Sequence, residues 1–89
     1  MNNQYQIVYT PTIAKNYHKL PVTIKKKAEI KLEFFRQNPF DPKLKTHKLV
    51  GKLANYWSFS IDIRHRIIFR FVPKVGILFV DVGTHSVYK

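Results

Sequence analysis

Residues 57–69 read WSFSIDIRHRIIF and residues 77–89 read ILFVDVGTHSVYK, and these two stretches decide the fold. Apolar and polar residues alternate along both, which is typical of β-strands with one buried and one exposed face. The polar positions carry several arginines and two aspartates, Asp62 and Asp81, and the chain closes with His85 and Tyr88. Cations and titratable groups on one face of a small sheet predict a surface that binds a phosphodiester and transfers protons.

The rest of the sequence predicts one more strand and two helices. Residues 5–9 (YQIVY) are β-branched and aromatic, as a short strand requires. Thr10-Pro11 is a helix start and Pro21 ends that helix, while residues 22–37 carry an apolar stripe at helical spacing. In chain order we expect a strand, two helices and three strands, at residues 5–9, 11–20, 22–37, 56–63, 65–72 and 76–82.

This order predicts an α+β domain in which both helices pack on one face of a mostly antiparallel sheet that ends in a three-stranded meander. Residues 40–55 are the only long irregular stretch, and such loops are often functional. Alternation assigns to the helix side Trp57, Phe59, Ile61, Ile63, Ile67, Phe69, Phe71, Leu78, Val80 and Val82. It assigns to the open side Ser58, Ser60, Asp62, Arg66, Ile68, Arg70, Ile77, Phe79 and Asp81.

Size and charge limit the class of protein. With 89 residues the chain is expected to form one domain, residues 1–89. Lys and Arg number 16 against five acids, a formal charge of +11, which favours nucleic acid as a partner and an acidic protein as the second choice. No stretch resembles a signal peptide or a membrane span, so a cytoplasmic protein without a membrane partner is expected.

The titratable residues favour metal-free chemistry. There is no cysteine, and the four histidines (His18, His47, His65 and His85) lack metal-ligand spacing, so neither metal nor cofactor is expected. In RNA the 2′-hydroxyl is already placed to attack the adjacent phosphate, so histidines for proton transfer and an arginine for the phosphorane suffice. Plainer interpretations remain open: His47 as a solvated loop residue, His85 as an anchor of the chain end, and Arg66 as an ion-pair partner of Asp62 or Asp81.

Two motifs carry a family resemblance. Residues 47–57 read HKLVGKLANYW and run into WSFSIDIRHRIIF, in which Trp57, Ser58, Ile61 and the residues 65–69 match a known pattern. The ending VGTHSVYK matches a second pattern of glycine, threonine and histidine followed by an apolar and an aromatic residue. On these motifs the chain resembles the RelE/ParE superfamily of type II toxins, most closely the YoeB- and YafQ-like mRNA interferases.

The resemblance implies a role for particular residues. His47 would act as general base, Arg66 would steady the phosphate, His85 would act as general acid, and Tyr88 would complete the site. Further cations are expected to bind RNA: Lys43, Lys45, Lys48, Lys52, Arg64 and Arg70. Such toxins cut mRNA in the ribosomal A site, next to ribosomal RNA, and a cognate antitoxin neutralises them.

Two other functions remain open at this point. The ParE branch of the same superfamily inhibits DNA gyrase by binding and needs no catalytic histidine. A plain nucleic-acid-binding module would also account for the charge of +11.

Overall fold

The computed structural model describes residues 5–84, and it has the predicted α+β architecture. One sheet contains five strands in the order β1-β5-β4-β3-β2, in which β1 runs parallel to β5 and all other neighbours are antiparallel. The regular elements are β1 (Ile7–Tyr9), α1 (Pro11–His18), α2 (Val22–Gln37), β2 (His47–Lys48), β3 (Trp57–Ser60), β4 (Arg66–Val72) and β5 (Gly76–Gly83). Single 3-10 turns at Pro42–Leu44 and Gly51–Leu53 flank β2.

Both helices and their order were predicted correctly, whereas the sheet has one strand more than expected. The stretch 40–55, expected to be irregular, contains β2, which pairs with β3 at the sheet edge. A two-residue strand is too short to show alternation, so only its pairing with β3 reveals it.

The start of α1 is fixed by Thr10. Its hydroxyl oxygen accepts a hydrogen bond from the backbone N–H of Ile13, and Pro11 occupies the first turn, as the sequence predicted. The same hydroxyl donates to the carbonyl oxygen of Val80, 2.9 Å away. One side chain therefore caps α1 and attaches it to β5.

The core is a cluster of phenylalanines between the helices and the sheet. Phe35 of α2 is fully buried, and its ring centroid lies 4.7 Å from that of Phe59, 5.0 Å from Phe69 and 5.2 Å from Phe79. Stacked and edge-on rings at these distances add to the free energy gained from burial. Phe35 thus joins α2 to three neighbouring strands.

The predicted faces of β5 were wrong for four of its residues. Asp81 pairs with Ile68, but Phe79 pairs with the next residue, Phe69, so Val80 has no residue opposite it and forms a bulge. An extra residue moves the alternation by one position. Val82 therefore lies in the core as predicted, whereas Ile77 and Phe79 lie there instead of on the open side, and Leu78 and Val80 are only partly buried.

Ile63 was also assigned wrongly to the helix side. The strand β3 ends at Ser60, and the chain then turns back towards β4, so the extended alternation does not reach Ile63. Its side chain is 89% exposed.

The β4–β5 hairpin requires glycine at its end. Gly76 has a φ of 128°, a conformation that L-residues rarely adopt. A Cβ at this position would overlap the carbonyl oxygen of Gln6, which accepts a hydrogen bond from the N–H of Ile77 at 2.9 Å. The glycine therefore allows β1 to pair with β5.

Replacing Phe35 by alanine is expected to lower the free energy of unfolding by about 3–5 kcal/mol, because the substitution leaves a cavity among three other rings. Val50→Ala is the matched control: Val50 is 87% exposed, and its loss should change stability by less than about 0.5 kcal/mol. Urea unfolding measures both. Equal effects of the two substitutions would show that Phe35 does not hold the core together.

Candidate active site

The strand β3 places His47 and Arg66 on the same face of the sheet. His47 of β2 lies opposite Ser58, and Arg66 of β4 lies opposite Ser60. Residues directly opposite each other in antiparallel strands share a face, and so do residues two apart along one strand. All four side chains therefore lie on the face that points away from Phe59 and the helices, hereafter the open face. On it His47 is exposed and Arg66 half-buried, whereas Ser58 and Ser60 are buried.

The spacing between His47 and Arg66 follows from the same register. Two strand spacings separate them sideways, about 10 Å, and two residues separate them along the strands, about 7 Å. The residue across from Arg66 on β5 is Gly83, which has no side chain to cover the guanidinium. At these spacings the Cα atoms of His47 and Arg66 are about 12 Å apart, a separation that the two side chains and a bound phosphodiester can span.

The loop before His47 is held against α2. The Lys31 ammonium donates to the carbonyl oxygen of Lys43 at 3.0 Å, and the ammonium of Lys43 lies 4.8 Å from the ring centroid of Phe34. The Asp41 carboxylate accepts the backbone N–H of Lys43 at 2.9 Å. These contacts fix the direction from which the chain enters β2.

The tautomer of His47 follows from its hydrogen bond. Its Nδ1 lies 3.1 Å from the carbonyl oxygen of Lys45, a residue in the left-handed conformation (φ 53°). A carbonyl oxygen only accepts hydrogen bonds, so Nδ1 carries the proton and the neutral ring has its lone pair on Nε2. The imidazole is exposed. A neutral, accessible Nε2 is the form that a general base requires.

Arg66 is positioned by a serine. Its Nη1 donates to Ser60 Oγ at 2.8 Å, and the side chain is half-buried. The ion pairs considered from the sequence are not formed: Asp62 bonds to His65, and Asp81 accepts from Asn16 at 2.7 Å. Within residues 5–84, no carboxylate pairs with the Arg66 guanidinium. The guanidinium is therefore oriented and keeps its charge for an anion.

Asp62 organises the turn that leads into Arg66. Its Oδ1 accepts the backbone N–H groups of Arg64 and His65 and lies 3.1 Å from His65 Nδ1. Burial raises the pKa of the Asp62 carboxyl, but the hydrogen bonds from His65 and Arg64 outweigh burial and bring the pKa below its ordinary value. The ionised carboxylate thus stabilises this turn.

Arg70 extends the positive charge of the open face. It lies four residues beyond Arg66 on β4, on the same side, with Ile68 between them. Its guanidinium carbon lies 5.8 Å from the ring centroid of Tyr56, at the outer limit of a cation–π contact. A line of two arginines therefore follows β4.

The remaining predicted cations are distributed differently. Lys48 lies opposite Trp57, on the side of β2 away from His47, and Lys52 is exposed in the second 3-10 turn. Arg64 is exposed at the β3–β4 turn, and Lys43 and Lys45 border α2. The predicted residues His85 and Tyr88 lie outside the described residues, so their roles stay predictions.

The other histidines do not join this set. His65 is bound to Asp62 in the turn. His18, on α1, borders a cavity of about 430 Å³ between the two helices. In the described part of the chain, no three side chains of the types that ligate metals stand close enough together to hold an ion, and neither helix is long and apolar enough to cross a membrane.

Sequence reasoning missed the role of Ser60 as the partner of Arg66. The signal was present, because Ser58 and Ser60 alternate with Trp57 and Phe59 and therefore had to share a face with Arg66. What the sequence lacked was the register between β3 and β4, which decides that Ser60 and not Ser58 lies opposite Arg66.

Comparison with solved structures identifies the fold. The YoeB/ParE toxin from Agrobacterium tumefaciens is 21% identical, with a TM-score of 0.75 over 90% of this chain and 98% of that one. YafQ from E. coli is 19% identical, with a TM-score of 0.69 over 96% and 98%. The toxin–antitoxin complex RelBE2 from Mycobacterium tuberculosis is 21% identical, with a TM-score of 0.71 over 92% of this chain and 99% of that one. No family model and no curated sequence relative matches the chain.

The protein therefore shares the fold of these three proteins, which is the fold that the resemblance predicted. Several of its structural neighbours are toxins or toxin–antitoxin complexes, among them the YoeB/ParE toxin, RelBE2 and DinJ–YafQ. The match extends over nearly the full length of both partners in each comparison. At these identities the likeness establishes the fold, and the activity has to be argued from the site.

Asp62→Ala is expected to lower the free energy of unfolding by about 1–2 kcal/mol at pH 7, because three N–H groups lose their acceptor. The pKa of Asp62 is lowered in the folded state, so its stabilisation is present above the ordinary value of 3.8 and is lost as the pH falls through the lower folded pKa. Urea unfolding of the wild-type protein and of the Asp62→Ala variant at several pH values should show that the difference between their free energies of unfolding becomes smaller in acid. Arg64→Ala, which keeps the backbone donor, is the control, and a difference that does not depend on pH would contradict the assignment.

Proposed function

We propose that this protein is the toxin of a type II toxin–antitoxin system and that it cuts messenger RNA in the ribosomal A site without a metal ion. The observation that carries the proposal is the placement of His47 and Arg66 on one open face through their pairing with Ser58 and Ser60. A base and a phosphate-binding cation at this spacing are the minimum that cleavage by the 2′-hydroxyl requires.

The reaction begins at the 2′-hydroxyl of the nucleotide before the scissile bond. Nε2 of His47 takes the proton of that hydroxyl, and the oxygen attacks the adjacent phosphorus. The hydrogen bond from Nδ1 to the Lys45 carbonyl favours this step, because it supports the positive charge that the ring acquires. Without a partner on Nδ1, the neutral ring would populate both tautomers, and Nε2 would less often carry the lone pair that accepts the proton.

Arg66 stabilises the phosphorane. Its planar guanidinium matches two phosphate oxygens, and the hydrogen bond to Ser60 fixes its orientation before the substrate binds. A preoriented donor needs no reorganisation when charge develops in the transition state. Arg70, about 13 Å further along β4, adds to the positive potential of the open face.

The leaving 5′-oxygen requires a proton. The resemblance assigns that step to His85 and a supporting role to Tyr88, and both assignments belong to the proposal. The products are a 2′,3′-cyclic phosphate and a free 5′-hydroxyl. The bond from phosphorus to the 2′-oxygen has formed, and the bond from phosphorus to the 5′-oxygen has broken.

The proposed partners are inferred from the net charge of the protein and from its structural neighbours. A net charge of +11 suits ribosomal RNA around the A site and an acidic antitoxin that covers the same surface. The neighbours include the toxin–antitoxin complexes RelBE2 and DinJ–YafQ. A cognate antitoxin is therefore the protein partner that we propose.

His47→Ala and Arg66→Ala are each expected to reduce cleavage of ribosome-bound mRNA by a factor corresponding to about 2–4 kcal/mol of transition-state stabilisation. Arg66→Lys should restore only part of the rate, because an ammonium keeps the charge but not the two-pronged geometry. Lys15→Ala, an exposed position on α1, is the control for loss of charge. Primer extension on mRNA after induction reports cleavage, and thermal unfolding checks that each variant folds.

Two outcomes would contradict the nuclease proposal. Unchanged cleavage in both alanine variants would remove His47 and Arg66 from the chemistry. Inhibition of gyrase supercoiling by the purified protein, without cleavage of message, would assign it instead to the gyrase-inhibiting function of ParE-like proteins.

A further inference from the structure

A second basic surface adjoins the open face and shares Arg66 and Ser60 with it. It is a groove of about 460 Å³ between α2 and the β3–β4 turn, hereafter the edge groove, and it is lined by Lys27, Lys31, Lys45, Ser60, Ile63 and Arg66 among others. We propose that the edge groove binds the single-stranded RNA that flanks the scissile linkage, through its phosphates. This inference rests on the proposed function, because Arg66 belongs to both surfaces.

The charge of the edge groove is strongly unbalanced. Five cationic side chains border it, and Asp62 is the one acid among its lining residues. The Asp62 carboxylate already accepts N–H groups of the turn. Across residues 5–84, the ion pairs are Arg36–Glu33 and His65–Asp62, so no groove cation is paired with a carboxylate. Such a groove attracts a polyanion.

The cations of the groove are held by the fold. Lys31 donates to the Lys43 carbonyl, which ties the loop to α2, and the left-handed conformation of Lys45 turns the chain into β2. Lys27 lies one helical turn before Lys31, on the same side of α2. The distance between the lysines of α2 and the loop is therefore set before any ligand binds, which reduces the entropy cost of binding.

Continuity with the candidate active site favours RNA as the occupant. Arg66 borders the groove at one side, and Lys45, whose carbonyl accepts from His47, borders it at another. A strand held at the scissile phosphate has to leave the open face, and this groove offers cations for its next phosphates. Ile30 and Ile63 are 59% and 89% exposed at the groove, and they give unstacked bases an apolar surface.

The test compares two double substitutions that remove equal charge. Lys27→Gln with Lys45→Gln alters the edge groove. Lys15→Gln with Lys19→Gln alters two exposed positions outside it, one in α1 and one at the C-cap of that helix. The probe is a single-stranded RNA of about 12 nucleotides with 2′-O-methyl groups, which binds but is not cut. Binding is measured by fluorescence anisotropy over a range of salt concentrations, and thermal unfolding confirms that both variants fold.

The groove variant is expected to reduce the slope of log Kd against log salt by about 1.4, since each lost contact to a single-strand phosphate contributes about 0.7. The control variant should keep the wild-type slope. Equal slopes for the two variants would overturn the inference. The inference would also be overturned if the groove variant lost binding to an acidic peptide but kept its binding to RNA, because the groove would then belong to a protein partner.

The result is separable from that of the cleavage experiment. If the wild-type protein cuts ribosome-bound message but the two variants bind RNA alike, the assignment of RNA binding to the edge groove is wrong and the proposed function stands. If no message is cut but the slope falls only in the groove variant, the nuclease proposal fails and the RNA-binding groove stands.

Discussion

The register of β3 is the constraint on which the candidate site depends. Phe59 is fully buried against Phe35 and Phe69, so β3 cannot slip by one residue without moving that phenylalanine out of the aromatic core and a serine into it. With Phe59 fixed, Ser58 and Ser60 must lie on the opposite side of the sheet, and their partners His47 and Arg66 lie on that side with them. The aromatic core thus determines the geometry of a polar surface on the other side of the sheet.

The polar surface is built from basic side chains held by neutral or backbone partners. Arg66 is oriented by a serine hydroxyl, Lys31 by a carbonyl oxygen and His47 by another carbonyl oxygen. Such partners fix a side chain without neutralising it, whereas a carboxylate would compete with phosphate. The carboxylates of Asp62 and Asp81 are used instead in a turn and at the contact with α1. This division leaves the charge available for a polyanion.

Much of the fold could be predicted from the sequence, because hydrophobic periodicity and proline positions identify α1, α2, β4 and β5 directly. Two features could not be. The bulge at Val80 reverses the faces of half a strand, and β2 is visible only through its pairing with β3. For the site, residue types and motifs pointed to His47 and Arg66, but the partner of Arg66 depends on register, which no local pattern encodes.

If His47 and Arg66 act on one phosphodiester, both side chains must bind the same ligand, which NMR titration can measure. The ligand is a short RNA with a 2′-O-methyl group at the scissile position, and the signals are those of the His47 ring and the Arg66 guanidinium. Both signals are expected to shift along a single saturation curve with one Kd. A shift of only one of them, or two different dissociation constants, would contradict it.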